Sequence, residues 1–157
     1  MSNIKVAFFD IDGTLSVPKY DVNQELQIGG SLDWWEKANV GRQGVYRHCL
    51  PVETLKNYLR ELKNQQVVLK CLTTEELADA YFNKVEFVLK HYGEFFKDYK
   101  DVIYTPNDDF KVHYLDVFKF NMGLEPSSIL LVDDSYDILL HAVNKGYQVR
   151  HISEFLH

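Results

Sequence analysis

The sequence predicts an α/β protein, a Rossmann-like doubly wound parallel sheet formed as a single domain over residues 1–157. Three observations carry that expectation. Short apolar runs of strand length alternate with longer segments whose apolar residues recur at helical spacing, the pattern of strands joined by crossover helices. The runs read as buried strands, bounded by Gly, Pro or acidic residues. No repeat, low-complexity tract or linker-like stretch divides the 157 residues, a length that suits one ordinary domain with a real core.

In chain order, Ile4, Val6, Ala7, Phe8 and Phe9 form the first strand, closed by Asp10-Ile11-Asp12-Gly13. Residues 16–50 break the pattern: they hold Gly29-Gly30, Gly41 and Gly44, with a short helix expected around Leu32 to Asn39. Such a segment is long for a βα loop, and loops of that length are usually functional. It is expected to form a small flap or cap over the end of the first strand. Pro51 then opens a helix in which Val52, Leu55, Leu59 and Leu62 share a face. Val67 to Leu72 is a second strand despite Lys70, and Leu77, Tyr81, Val85, Val88, Leu89 and Tyr92 follow at helical spacing. Val102-Ile103-Tyr104 is a short strand stopped by Pro106. Val112, Leu115, Phe118 and Met122 stripe a helix ended by Gly123. Ile129 to Val132 runs as a strand into Asp133-Asp134. Ile138, Leu139, Ala142 and Val143 mark the last helix before Gly146, and Tyr147 to Arg150 adds an edge strand.

A net charge of −6 argues against general binding to nucleic acid or an anionic membrane. It does not exclude an anionic substrate, because a bound divalent cation inverts the local field. The two cysteines, Cys49 and Cys71, lack Cys-x-x-Cys spacing, which disfavours a zinc site or a disulfide framework. No signal-like N-terminus and no apolar stretch of spanning length is present, so a cytoplasmic protein without membrane contact is expected.

Chemistry-bearing residues fall at the C-terminal ends of the expected strands, where open α/β sheets bind ligands. Alternation along a strand starts Asp10 and Asp12 on one side, about 7 Å apart at roughly 3.3 Å per residue. Two like charges so close need a metal, a shared proton or water. Thr73 ends the second strand, Lys111 begins a helix, Asp133-Asp134 ends the fourth strand, and Asp137 follows one turn on. This set suits phosphoryl transfer, which needs a nucleophile, an acid/base, Mg²⁺ held by carboxylates, and donors for the phosphoryl oxygens.

In this order, Asp-Ile-Asp-Gly-Thr-Leu, a strand-terminal Thr, a Lys and Asp-Asp-x-x-Asp resemble the four motifs of the haloacid dehalogenase superfamily. The match spans residues 4 to about 150 and leaves only the insert unaccounted for. The resemblance implies a Mg²⁺-dependent phosphomonoester hydrolase of small-cap or capless type. Asp10 would be the nucleophile, forming an aspartyl-phosphate and touching Mg²⁺. Asp12 would be the acid/base, its backbone carbonyl also on the metal. Thr73 and Lys111 would hold phosphoryl oxygens, and Gly13 would bend the chain so that N–H groups face the phosphate. Asp133 would bind Mg²⁺, with Asp134 and Asp137 in an outer shell. The expected substrate is a nucleotide, a sugar phosphate or a nucleic-acid end phosphate. A phosphotransferase or phosphomutase is the alternative enzyme, and a binding module that keeps the fold without turnover is the alternative from another class.

Each residue also has a plainer use. Thr73 with Glu76 forms a capping box, Thr74 is an adjacent phosphate donor, and Asp134 or Ser135 caps the last helix. Lys111 fits poorly with the dipole at a helix start, a hint of another use. Ile-Leu-Leu-Val-Asp-Asp-Ser also resembles the first acidic strand of a response-regulator receiver domain, but too few residues follow Asp134 for that fold. Trp34-Trp35 is expected to pack the insert, Arg42 and Arg47 to be solvated, and the histidines show no ligand spacing.

Overall fold

The computed structural model describes residues 3–18, 43–75 and 78–156. Five strands form one parallel sheet in the order β5-β4-β1-β6-β7. They are β1 (Val6–Phe9), β4 (Val68–Thr74), β5 (Val102–Thr105), β6 (Ile129–Asp133) and β7 (Gln148–His151). The first strand lies at the centre, where both neighbours pair with it: Phe9 stands opposite Cys71 and Val132. Only a strand apolar on both faces can occupy that place, and Val6 to Phe9 are all buried.

Side-chain alternation along β1 feeds two separate cores. Ala7 and Phe9 pack with Leu55, Leu59 and Leu62 of α1 (Glu53–Asn64) and Val85, Val88 and Tyr92 of α2 (Ala78–Tyr92). Val6 and Phe8 pack with Val112 and Leu115 of α3 (Asp109–Met122) and Ile138, Leu139 and Ala142 of α4 (Tyr136–Asn144). Helices thus cover both faces, as the doubly wound reading requires. Gly123 ends α3 in the left-handed region (φ 63°) that a side chain disfavours.

Two elements depart from the sequence reading. Pro51 does not open a helix; it closes β3 (Cys49–Pro51), which pairs antiparallel with β2 (Ser16–Pro18). The helix starts two residues later, after an extended Val52 (φ −91°, ψ 99°). This ribbon joins the two ends of the insert, and Tyr92 fastens it from below. The Tyr92 hydroxyl accepts from the Val52 N–H (2.7 Å) and donates to the Leu15 carbonyl (2.5 Å). Trp34-Trp35, Arg42, Glu76 and Leu77 lie outside the described residues. Arg47 is exposed and donates to the Gly44 carbonyl, while Cys49 and Cys71 are buried free thiols. Among the described residues, no helix is long and apolar enough to cross a membrane.

Candidate active site

A polar cleft of about 190 Å³ opens at the C-terminal edge of the sheet. Asp10, Asp12, Thr73, Lys111, Asp133 and Asp134 all line it, joined by Thr74, Asp108, Ser135 and Ile138. The topology explains the convergence: in a parallel sheet every strand delivers its last residue to the same edge, and β1, β4 and β6 are adjacent.

On the α3 face, Lys111 is 2% exposed and its ammonium bridges two carboxylates, Asp10 Oδ1 at 2.9 Å and Asp133 Oδ2 at 2.8 Å. The other oxygen of Asp133 accepts from the Ser135 N–H (3.0 Å), so the carboxylate is held at both ends. Ser135 caps α4 through the Ile138 N–H. Burial pushes the Asp10 carboxyl well above its usual range. Lys111 pulls the other way, while Asp133, Asp12 and Asp134 add to the rise. Among the described residues, one ammonium among several carboxylates leaves this end of the cleft short of positive charge.

That deficit bears on a metal. Asp10, Asp133 and Asp134 each offer an oxygen, and the three lie within 4.8 Å of one another. Hard carboxylate oxygens suit Mg²⁺, which takes one or two of them directly and completes its octahedron with water, held by further carboxylates, and substrate oxygens. The residues present therefore fit the cation.

Gly13 makes the approach of Asp134 possible. It adopts φ +83°, and a Cβ built there falls 2.3 Å from Asp134 Oδ2. Its own N–H is engaged by the Ser16 carbonyl at 2.8 Å, so it closes the turn and makes room for a carboxylate. Asp137 is exposed in the first turn of α4 and is not among the residues lining the cleft.

Asp10 and Asp12 both line the cleft, but they pair with different lysines. The strand ends at Phe9, and beyond it the two-residue rule lapses. Asp12 turns instead toward the α2 face. Its Oδ2 meets Lys84 Nζ at 2.8 Å, and its Oδ1 accepts from the Tyr46 hydroxyl at 2.6 Å. Lys84, 2% exposed, also contacts Glu75 Oε2 (3.0 Å), Thr73 Oγ (2.9 Å) and the Thr74 carbonyl (2.6 Å). Thr74 is in β4 as well, and its hydroxyl donates to Asp108 at 2.7 Å. Sequence reasoning missed Lys84, Tyr46, Glu75 and Asp108. A signal for Lys84 did exist, since it falls on the apolar stripe of Tyr81, Val85 and Val88.

The five-stranded parallel sheet with helices on both faces is a haloacid dehalogenase-like fold. No protein-family model matches the sequence, and no curated protein matches it either. Solved structures do. The chain is similar to a haloacid dehalogenase-like hydrolase from Streptococcus pneumoniae (18% identity, TM-score 0.57, covering 95% of this chain and 84% of that one). It is similar as well to a predicted phosphoglycolate phosphatase from Haemophilus somnus (15% identity, TM-score 0.57, 95% and 85%). A third likeness is to a family enzyme of Bacteroides thetaiotaomicron, solved as a magnesium complex (13% identity, TM-score 0.56, 96% and 93%). In one further match, at TM-score 0.52, the chain spans only 64% of the other protein's length.

Proposed function

We propose that the protein is a Mg²⁺-dependent phosphomonoester hydrolase that acts on small phosphate esters through a phosphorylated Asp10. One observation carries this reading: Lys111 bridges Asp10 and Asp133 on the floor of a cleft where Asp134 adds a third carboxylate. Asp10, Asp133 and Asp134 would hold Mg²⁺, directly or through water, and the bound ion would supply a Lewis acid that neutralises the phosphoryl oxygens.

The chain's own residues do the rest. Lys111 fixes the Asp10 carboxylate with one N–H and Asp133 with another, which leaves its third for a phosphoryl oxygen. Thr73 accepts from Lys84, so its own O–H remains to donate to the phosphate. An Asp10 oxygen bonds to phosphorus as the ester P–O bond breaks, and Asp12 gives its proton to the leaving oxygen. Asp12 then takes a proton from a water whose oxygen bonds to phosphorus while the Asp10–phosphorus bond breaks. Phosphate leaves and both aspartates are restored.

The substrate class follows from charge and size. Carboxylates of Asp12, Asp108 and Asp134 border a small cleft, a surrounding that favours one phosphate on a compact alcohol over a polyanionic nucleic-acid end. The test is phosphate release over sugar phosphates, nucleotides and 3′-phosphorylated DNA, with and without Mg²⁺. Release from the small esters, abolished by chelation and by Asp10→Asn, is expected. Parent-like turnover by Asp10→Asn would sink the mechanism, and turnover confined to the DNA substrate would replace the substrate class.

A further inference from the structure

We infer that Lys84, assisted by Tyr46, is a positioning residue that aims Asp12 at the leaving-group oxygen. This rests on the hydrolase reading above. It adds a requirement located on the opposite face of the sheet from the nucleophile.

The geometry supports the assignment in three ways. First, Lys84 is not a phosphate ligand. Its ammonium has three hydrogens, and four acceptors surround it: Asp12 Oδ2, Glu75 Oε2, Thr73 Oγ and the Thr74 carbonyl. Nothing is left over for a substrate, and the nitrogen is buried. Second, Asp12 is held at both oxygens, by Lys84 on one and Tyr46 on the other, while its side chain keeps 31% of its surface exposed. A carboxylate has about four lone-pair sites, so both clamps leave room for an exchange of a proton with substrate or water. Third, the clamp is anchored to the body of the domain. Lys84 lies on α2, whose neighbours Val85 and Val88 are in the core, and Glu75 is fixed to β5 by its N–H to the Thr105 carbonyl.

An aspartate on a short turn beyond a strand end otherwise has two free torsions. Proton transfer to a leaving oxygen is sensitive to such freedom, because the donor must sit within hydrogen-bond reach as the P–O bond breaks. A positioning role therefore has a signature that a purely structural role lacks. An alkoxide leaving group needs the proton, whereas a nitrophenolate leaves readily without it. The constant kcat/KM reports only steps through phosphorylation of Asp10, so it isolates this dependence from the later attack by water.

The experiment compares kcat/KM for p-nitrophenyl phosphate and for an alkyl phosphate, in Mg²⁺, across the parent, Lys84→Met, Tyr46→Phe and each of these combined with Asp12→Asn. Lys84→Met is expected to lose about 100-fold on the alkyl ester and under about tenfold on the aryl ester. Tyr46→Phe removes one hydroxyl and nothing else, and is expected to show the same bias at a smaller size, about three- to tenfold. Both biases should vanish in the Asp12→Asn background. Should Lys84→Met fail to fold by circular dichroism, Tyr46→Phe decides alone. Equal losses on the two esters, no loss on either, or a bias that persists without Asp12 overturns the assignment while leaving the hydrolase reading intact. A parent protein that releases phosphate from neither ester overturns the hydrolase reading itself, and this inference with it.

Discussion

Lys111 and Lys84 occupy opposite faces of the sheet, and each is bonded to one aspartate of the opening pair and to one further carboxylate. The resemblance ends with the acceptors. Around Lys84 four acceptors meet three hydrogens, with Tyr46 donating to the other oxygen of Asp12. Around Lys111 two acceptors are bonded, and a third carboxylate, Asp134, stands nearby with no second cation paired to it among the described residues. One cluster is complete and serves as a bracket. The other is deliberately short of charge, and that shortage defines a place for a divalent ion and a phosphate. The same residue types give a rigid support or a reactive centre according to how many acceptors remain unmatched.

This contrast is open to a direct attack. Removing Lys111 leaves two buried carboxylates facing each other, which costs about 3–5 kcal/mol, and removing Lys84 leaves the half-buried Asp12 and Glu75 facing each other at a smaller cost. In urea unfolding Lys84→Met and Lys111→Met should show these losses without metal. Adding Mg²⁺ should restore much of it in Lys111→Met, where a cation can enter among Asp10, Asp133 and Asp134, and little in Lys84→Met. Equal rescue of both would erase the distinction. A step down in size, Mg²⁺ at 100 times its dissociation constant should stabilise the parent by about 2.7 kcal/mol. Asp133→Asn should forfeit most of that increment in a thermal melt, since it keeps the shape and removes a ligand charge.

Smaller still is Gly13→Ala. It forces a side chain into the left-handed region and against Asp134, for about 1–3 kcal/mol, and should weaken Mg²⁺ stabilisation in the same melt. The smallest effect belongs outside the cleft. Asp116 accepts from Lys145 (2.6 Å) and Tyr147 (2.5 Å); burial works upward on its carboxyl, but these bonds hold it below the usual range. Its folded pKa lies under the unfolded one, so its contribution is complete above the ordinary carboxylate range. It disappears as pH falls through the depressed value. Asp116→Asn should cost about 1 kcal/mol at neutral pH and nothing in strong acid, with phosphate release unaffected.

The parallel sheet was legible because the apolar runs on β1 and β6 are buried on both faces. The Lys111 cluster was legible because Asp10, Asp12, Lys111 and Asp133 occur in a known motif order. Its fine geometry was not, since Asp12 leaves the strand before alternation can place it. The Lys84 cluster was harder to see. Its members come from four separate segments, and only the charge lodged on the apolar face of α2 marked one of them. The β2–β3 ribbon escaped notice for a different reason. Three-residue strands, each ending in proline, carry too little periodicity to register.

Tyr92 gives the ribbon a consequence for how the molecule can change. Its hydroxyl ties Leu15 to Val52, so the chain leaves and re-enters the body at a doorway built wholly from residues outside 19–42. A graft of different length between Pro18 and Gln43 meets the same doorway and keeps Tyr46, and the closure cost rises only about 0.6 kcal/mol for each doubling of loop length. The segment is in that sense a cassette. Asp10, Lys111 and Asp133 take their places from β1, α3 and β6, on the body's side of that doorway.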